Sequence, residues 1–389
     1  MIYLDSSATT PVHRAVLEAM WPFLSTEFGN PSSRHEVGER AKRALVDARA
    51  RFAASFGAKA SEVVFTAGGT ESNNLAIKGI ALGNPRGRHI VTTVIEHPAV
   101  LASCEYLERL HGFSISRVGV DSTGLVKLDD VAAALRADTA LVSVMLANNE
   151  VGTVQPIRAI GALAHSVGAL MHTDAVQGTG WLDLSLAGLG VDAITIAGHK
   201  FGAPKGIGAL VVRSGVVLEP LVHGGAQERG LRSGTENVAG AVGIAMALEI
   251  AEASRVGRGA VGEAFSAPAA TAAIRDRFIQ GILDAVPIAS LTGHPSLRLP
   301  SIASFVFAGL SGETILVELE RRGILVSSGS ACAAGSDQPS PVLIAMGLPA
   351  ELAQTAVRFS LDASTSDAQL NLVVAAVAEV TGAALGNIG

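Results

Sequence analysis

Cysteine is nearly absent from this chain, which holds two, Cys104 and Cys332. Two thiols cannot build a disulfide framework, so a stapled secreted scaffold is excluded and a reducing compartment is expected. Basic runs are missing as well. A net charge of −6 with no strongly positive stretch argues against a nucleic-acid surface as the molecule's main business. Long apolar runs are missing too: segment 238–248 meets Glu249 well before the roughly 18 residues that a membrane span needs. The opening residues, MIYLDSSATT, have neither the basic start nor the apolar run of a secretory signal. A cytoplasmic location without membrane or direct nucleic-acid contact is the expectation.

The 389 residues are 49% hydrophobic, enough to bury a large core, and too many for one ordinary core alone. From about residue 60 to 215 a short apolar run is followed by a polar or glycine turn and then by helical periodicity, several times over. Glu62–Phe65 precedes Ala67-Gly68-Gly69, His89–Ile95 precedes Pro98, and Thr139–Leu146 precedes Asn148-Asn149-Glu150. Leu170–His172 precedes Thr173-Asp174, and Asp192–Ile196 precedes Ala197-Gly198-His199-Lys200. Continuously apolar strands alternating with helices predict an α/β fold with a mostly parallel sheet covered on both faces. In such sheets ligands sit at the carboxyl ends of the strands, where these polar clusters fall. The rest has another texture. Residues 251–272 are small and flexible in composition and read as an elbow between domains. Beyond it come a strand at Ile302–Phe307, a helix from Gly312 to Arg322, strands at Ile324–Val326 and Ala356–Leu361, and a Ser/Gly/Ala-rich loop at Ser327–Ser340 between them. Ser366 and Gln369 have the spacing of a capping box opening the last helix.

Taken singly, the polar residues at the strand ends have ordinary explanations. His97 before a proline-started helix could be a structural histidine, Asp174 could cap a helix, Lys200 could be a solvated charge, and Arg358 in an apolar strand could form a structural ion pair. Taken together they have one explanation. Pyridoxal phosphate requires a lysine for a Schiff base, a carboxylate to hold a proton on its ring nitrogen, a planar group over the ring, a donor to its phenolic oxygen and a phosphate cradle. An amino-acid substrate adds the need for an arginine fork on its carboxylate. Strand ends of one α/β domain supply all but the arginine, and Arg358 supplies that.

Ten motifs carry a closer resemblance: YLDSSATTPV (3–12), FGNPSS (28–33), VFTAGGTESNNLAIKG (64–79), IEHPAV (95–100), NNEVGTVQPI (148–157), HTDAVQ (172–177), GHKFGAPKGIGAL (198–210), HGGAQERGLRSGT (223–235), SSGSACAAG (327–335) and RFSL (358–361). In this order, nearly end to end, the chain resembles the cysteine desulfurases of the class V aminotransferase group, pyridoxal-phosphate enzymes of fold type I. The resemblance implies a seven-stranded large domain at 12–250 and a smaller α+β domain made of 1–11 and 251–389, the latter carrying a mobile cysteine loop at 327–340. By position, Lys200 resembles the Schiff-base lysine, and His97 the histidine that stacks on the ring and moves protons. Asp174 resembles the partner of the ring nitrogen, and Gln177 the donor to the phenolic oxygen. Thr70 and His199 resemble phosphate ligands, with Thr235 reaching the phosphate of the neighbouring subunit in a homodimer. Asn149 and Arg358 resemble the pair that binds the substrate carboxylate, and no metal is implied. Cys332 resembles the residue that takes sulfur from L-cysteine as a persulfide, leaving alanine. Its own setting fits that role, since it sits between small residues in a long polar loop, whereas Cys104 lies in the apolar VLASCEYLERL and reads as helix core. The long form of the cysteine loop resembles the branch that feeds iron–sulfur scaffold proteins, and a thiolation enzyme is the other acceptor class. A selenocysteine lyase would share nearly all of these residues, another class V aminotransferase or lyase would not need Cys332, and a non-catalytic scaffold subunit would be expected to lose Lys200 or Cys332. One departure concerns the cofactor: Ala197 stands where the family commonly has a hydroxyl on the phosphate.

Overall fold

The computed structural model describes residues 1–84, 86–257, 268–328 and 338–386. Its strands are β1 (Ile2–Tyr3), β2 (Val63–Thr66), β3 (His89–Thr93), β4 (Ser114–Val118), β5 (Thr139–Ser143) and β6 (Leu170–Asp174). They continue with β7 (Ala193–Ala197), β8 (Gly208–Val212), β9 (Ala289–Leu291), β10 (Ile302–Phe307), β11 (Ile324–Leu325) and β12 (Val357–Ser360). Seven of them form one sheet in the order β2-β8-β7-β6-β5-β3-β4. Pairings from β7 through to β4 are parallel, while β8 runs antiparallel to both β2 and β7.

Side chains alternate across this sheet and sort into two buried layers. Val63, Phe65, Val142, Ile194, Ile196 and Val211 join the layer that includes Phe52 and Ile244, on the helices Glu36–Ala54 and Val238–Arg255. Val64, Leu141, Ala193 and Leu210 face the other way, onto Ile77, Cys104 and Leu107. Both faces are covered, which is why these strands read as unbroken apolar runs. The strand ends are shorter than the sequence pattern suggests: β3 stops at Thr93 and β5 at Ser143, because the residues beyond turn into the polar loops of the site. The parallel edge strand β4 and the antiparallel β8 had no place in the sequence reading. In β4 the buried–polar alternation is weak, and β8 follows a glycine-rich loop.

A second cluster forms around the antiparallel sheet β12-β10-β9, where Phe305, Phe307 and Phe359 pack with Phe278 and Val373. β1 pairs in parallel with β11, so Leu4 enters this second cluster although it lies at the other end of the chain. The expected elbow at 251–272 is narrower. Helix Val238–Arg255 runs through its first residues, and helix Pro268–Ala285 includes its last, because the alanines there favour helix over coil. Residues 258–267 and the stretch 329–337, which contains Cys332, lie outside the described residues. The capping box is present: Ser366 N donates to Gln369 Oε1 at 2.9 Å, and Gln369 N donates to Ser366 Oγ at 3.3 Å. Among the described residues no helix is long and apolar enough to cross a membrane.

Candidate active site

The carboxyl ends of β3, β5, β6 and β7 open into one cavity of about 490 Å3. Its walls include Thr70, His97, Asn149 and Asp174, and also Gln177, His199, Lys200 and Arg358. These residues come together from segments up to 288 positions apart in sequence (Thr70 to Arg358): parallel crossovers bring the carboxyl ends of β3, β5, β6 and β7 to one edge of the sheet, and β12 of the second sheet adds Arg358.

Asp174 ends β6 and is buried. Its Oδ2 accepts from Asn73 Nδ2 at 2.6 Å and its Oδ1 from the Val176 amide at 3.0 Å, so the charge is held by a side chain and a turn rather than by a helix cap. His97 does cap a helix. Its Nδ1 accepts from the Ala99 amide at 3.1 Å at the start of Pro98–His111. That bond places the proton of the neutral ring on Nε2, the nitrogen the helix leaves available. Burial pushes the His97 pKa below the ordinary imidazole value; Asp174 pulls it up and Lys200 pushes it down. The ring is therefore neutral at pH 7.

Lys200 lies in the short turn Gly198–Lys200 that follows β7. Its amine donates to the Ala8 carbonyl at 3.0 Å and also to the Ser7 carbonyl. Gln177 Nε2 donates to that same Ser7 carbonyl at 3.0 Å. The N-terminal segment is thereby drawn across the cavity, and Ser7 N is fixed in turn by Ser360 Oγ at 2.9 Å. Arg358 is buried in β12; it donates to Asp5 Oδ1 at 2.7 Å and to the Asn149 carbonyl at 2.8 Å. The structural ion pair and the cavity-facing guanidinium are both realised in one residue. Asp5, Asn73, Glu96 and Glu150 were not singled out from the sequence. Each sits inside a quoted motif or beside an assigned residue, but only the tertiary contacts distinguish it from its neighbours.

At the other end of the cavity the chain turns sharply from β2 into the helical run that begins at Gly69. Gly68 holds φ 156° and ψ −178°, a region essentially restricted to glycine. A Cβ on Gly69 would lie 3.1 Å from both Ala197 Cβ and Val176 Cγ2, so the start of this helical run packs close against the end of β7 and the turn after β6. Gly69, Thr70 and His199 also line an adjoining cavity with Lys205. Burial, with Lys200 and Lys205 beyond it, pushes the His199 pKa down to about 4, leaving a neutral hydrogen-bonding ring. Its Nδ1 contacts Thr9 Oγ1 at 3.2 Å.

Thr235 is elsewhere. It is exposed and lines a separate cavity with Arg232, Glu236 and Gly206. Cys332 lies outside the described residues, but the chain on each side of it reaches this site: Ser327 pairs with Arg358 across the backbone, and Pro341 and Val342 line the cavity. Cys104 is fully buried, and burial pushes its thiol up to about 12, which makes it an inert core residue as its neighbours implied.

The donor set suits pyridoxal phosphate. A lysine amine and a supported carboxylate share one cavity with a histidine ring, and the helix start at Gly69 and Thr70 lies at one end of it. Fold and site together define a pyridoxal-phosphate-dependent enzyme of fold type I. Residues 2–373 match the family model described as aminotransferase class-V. The chain is 45% identical over 371 residues to the cysteine desulfurase IscS of Dictyoglomus turgidum, covering 95% of this chain and 92% of that protein. A solved NifS-like protein superposes with a TM-score of 0.88 at 37% identity, covering 98% of this chain and 99% of that one. SspA in complex with cysteine superposes with a TM-score of 0.81 at 37% identity, over 94% of this chain and all of that one. The chain belongs to the class V aminotransferase family, among its cysteine desulfurases.

Proposed function

We propose that this protein removes sulfur from L-cysteine, leaving L-alanine, and carries the sulfur as a persulfide on Cys332 for transfer to an acceptor protein. The observation that carries the reading is the convergence of Lys200, Asp174, His97 and Arg358 on one cavity of about 490 Å3. The cysteine seen with the structural relative SspA is consistent with it.

Lys200 would hold pyridoxal phosphate, with Asp174 at its ring nitrogen, Gln177 at its phenolic oxygen, and Thr70 with His199 at its phosphate. Bound there, the cofactor supplies an electron sink that makes the substrate Cα proton acidic and the Cβ–S bond cleavable. Arg358 and Asn149 orient the substrate carboxylate, a bidentate task for which the guanidinium is preset by Asp5. Lys200 Nζ takes and returns the Cα proton, and the Ser7 and Ala8 carbonyls are where that amine rests. His97 moves protons through Nε2, the nitrogen its helix cap leaves free. In the sulfur step the Cys332 thiolate attacks the substrate sulfur. An S–S bond forms, the Cβ–S bond breaks, and the carbon keeps the electron pair and gains a proton on the way to alanine.

Two further parts of the proposal concern assembly. Thr235, exposed and outside the cavity, serves the phosphate of a second copy, so the working unit is a homodimer. Residues 1–11 and 251–389 form a small domain distinct from the seven-stranded large one at 12–250; the separate apolar cluster at Phe305 and Phe359 supports this. The acceptor is an iron–sulfur scaffold or a thiolation enzyme.

The test is to incubate the purified protein with L-cysteine and a thiol reductant and to measure alanine and sulfide together. Equal yields are expected. Cys332→Ser should abolish sulfide and persulfide while still binding the cofactor, and Lys200→Ala should release neither product. Alanine without sulfide, or a persulfide mapped to Cys104, would overturn the reading.

A further inference from the structure

Glu96 immediately precedes His97, lines the same cavity, and is 4% exposed. Its Oε1 accepts from Thr93 Oγ1 at 2.7 Å, at the end of β3, and from the Met145 amide at 2.9 Å, just beyond β5. Its Oε2 is buried with no hydrogen-bond partner among the described residues. Asn148 Nδ2 closes a second tie between the same two loops by donating to the Ile95 carbonyl at 3.1 Å. One loop carries His97 and the other leads to Asn149. The two roles those residues are given above, over the ring and on the substrate carboxylate, therefore depend on a joint whose centre is Glu96.

The charge of that joint matters. Asp174 faces Glu96 from β6, the Cys104 thiol faces it from helix Pro98–His111, and His97 adjoins it in the chain. None of these supplies a cation. A second carboxylate charge here would be buried with only two donors on one oxygen and none on the other, and would be repelled by Asp174. Burial first, and Asp174 after it, raise the Glu96 pKa to about 8, against the pull of the two hydrogen bonds.

We infer that Glu96 is a positioning residue that works as the neutral acid, clasping the His97 loop to the Asn149 loop without setting a second negative charge beside Asp174. The inference rests on the roles proposed above for His97 and Asn149. Its test has readouts that do not depend on turnover.

The first is infrared difference spectroscopy of the purified protein against Glu96→Gln at pH 7. The carbonyl stretch of a protonated carboxylic acid, lost in the variant, is expected. A carboxylate doublet lost instead would overturn the inference. The second is the pH dependence of unfolding. A folded-state pKa raised to about 8 means the native chain keeps a proton that the unfolded chain releases above the ordinary glutamate range. Stability therefore falls as pH rises through that window. His199, whose folded pKa is lowered, acts in the opposite sense between about 4 and the ordinary imidazole value, so the comparison is with Glu96→Gln and not with a flat line. The unfolding equilibrium constant of wild type relative to Glu96→Gln should rise by about tenfold per pH unit across the window, and a pH-independent ratio would sink the idea. The third is rescue. Glu96→Ala strands the Thr93 and Met145 donors and should lower kcat/KM by about tenfold or more, whereas Glu96→Gln, which matches the neutral acid in shape, should recover most of that loss. If Glu96→Gln were as impaired as Glu96→Ala while the infrared result held, the acid would be neutral but not a clasp, and the positioning role would be withdrawn. A protein inactive toward cysteine but showing the protonated acid would refute the proposed reaction and leave the charge state standing.

Discussion

Ala197 ends β7 against the start of the helical run at Gly69, with its methyl in the cavity wall and 2% exposure. A hydroxyl on a phosphate dianion is a charge-assisted contact worth about 1.5–3 kcal/mol where nothing replaces it. Gly69, Thr70 and His199 line the same end of the cavity, and on the phosphate role proposed for Thr70 and His199 the missing oxygen should cost near the low end of that range. Ala197→Ser is expected to bind pyridoxal phosphate roughly tenfold more tightly, seen as slower loss on dialysis. The rate at saturating cofactor should change little, because a phosphate handle is bound alike in ground and transition states. Equal dialysis rates would show that backbone amides or water already fill the role.

The loop from 223 to 235, which includes Thr235, holds one short helical turn at Gln227–Gly230 and a strained backbone. Ala226, Glu228 and Arg229 hold φ of 62°, 47° and 59°, a left-handed conformation costing about 1–2 kcal/mol per residue outside glycine. What repays it is a buried fork. Arg49 donates to both carboxylate oxygens of Glu228 at 2.5 Å, with 11% and 3% of the two side chains exposed, and the Phe65 amide adds a third bond at 3.2 Å. Arg229 donates to the Val63 carbonyl at 2.7 Å, which ties the loop to β2. Arg49→Ala would leave a buried carboxylate facing strained backbone, and urea unfolding should show a loss of about 3–5 kcal/mol. A loss below about 1 kcal/mol would mean that the loop holds its shape without the pair.

The proposed homodimer turns on which site Thr235 serves. In one chain it lies apart from the cavity that holds Lys200. Mixed dimers of Lys200→Ala and Thr235→Ala subunits distinguish the two arrangements. If Thr235 acts across the interface, the hybrid contains one site with both residues intact, and since about half of the randomly paired dimers are hybrids, mixing should recover up to about a quarter of wild-type activity. If Thr235 acts within its own chain, each subunit carries its own defect and mixing recovers nothing. Activity measured after co-refolding the two variants in equal amounts gives the answer.

The sequence by itself determined the sheet and the edge at which chemistry would lie. Strands buried on both faces are rich in apolar residues, and clusters of polar residues gather where those runs end. That Lys200, Asp174 and His97 would lie at that edge was legible for that reason, and the apolar neighbours of Cys104 made its burial legible too. Tertiary structure decided what pairing alone can decide. Arg358 is at once an ion-pair partner of Asp5 and a cavity residue, because β12 brings the C-terminal part against the N-terminal segment. The antiparallel β8 could not be read, since strand direction depends on the partners a strand meets and not on its own residues. Nor could Glu96: a glutamate beside a histidine looks like a surface pair until the fold withdraws it from water and sets Asp174 in front of it.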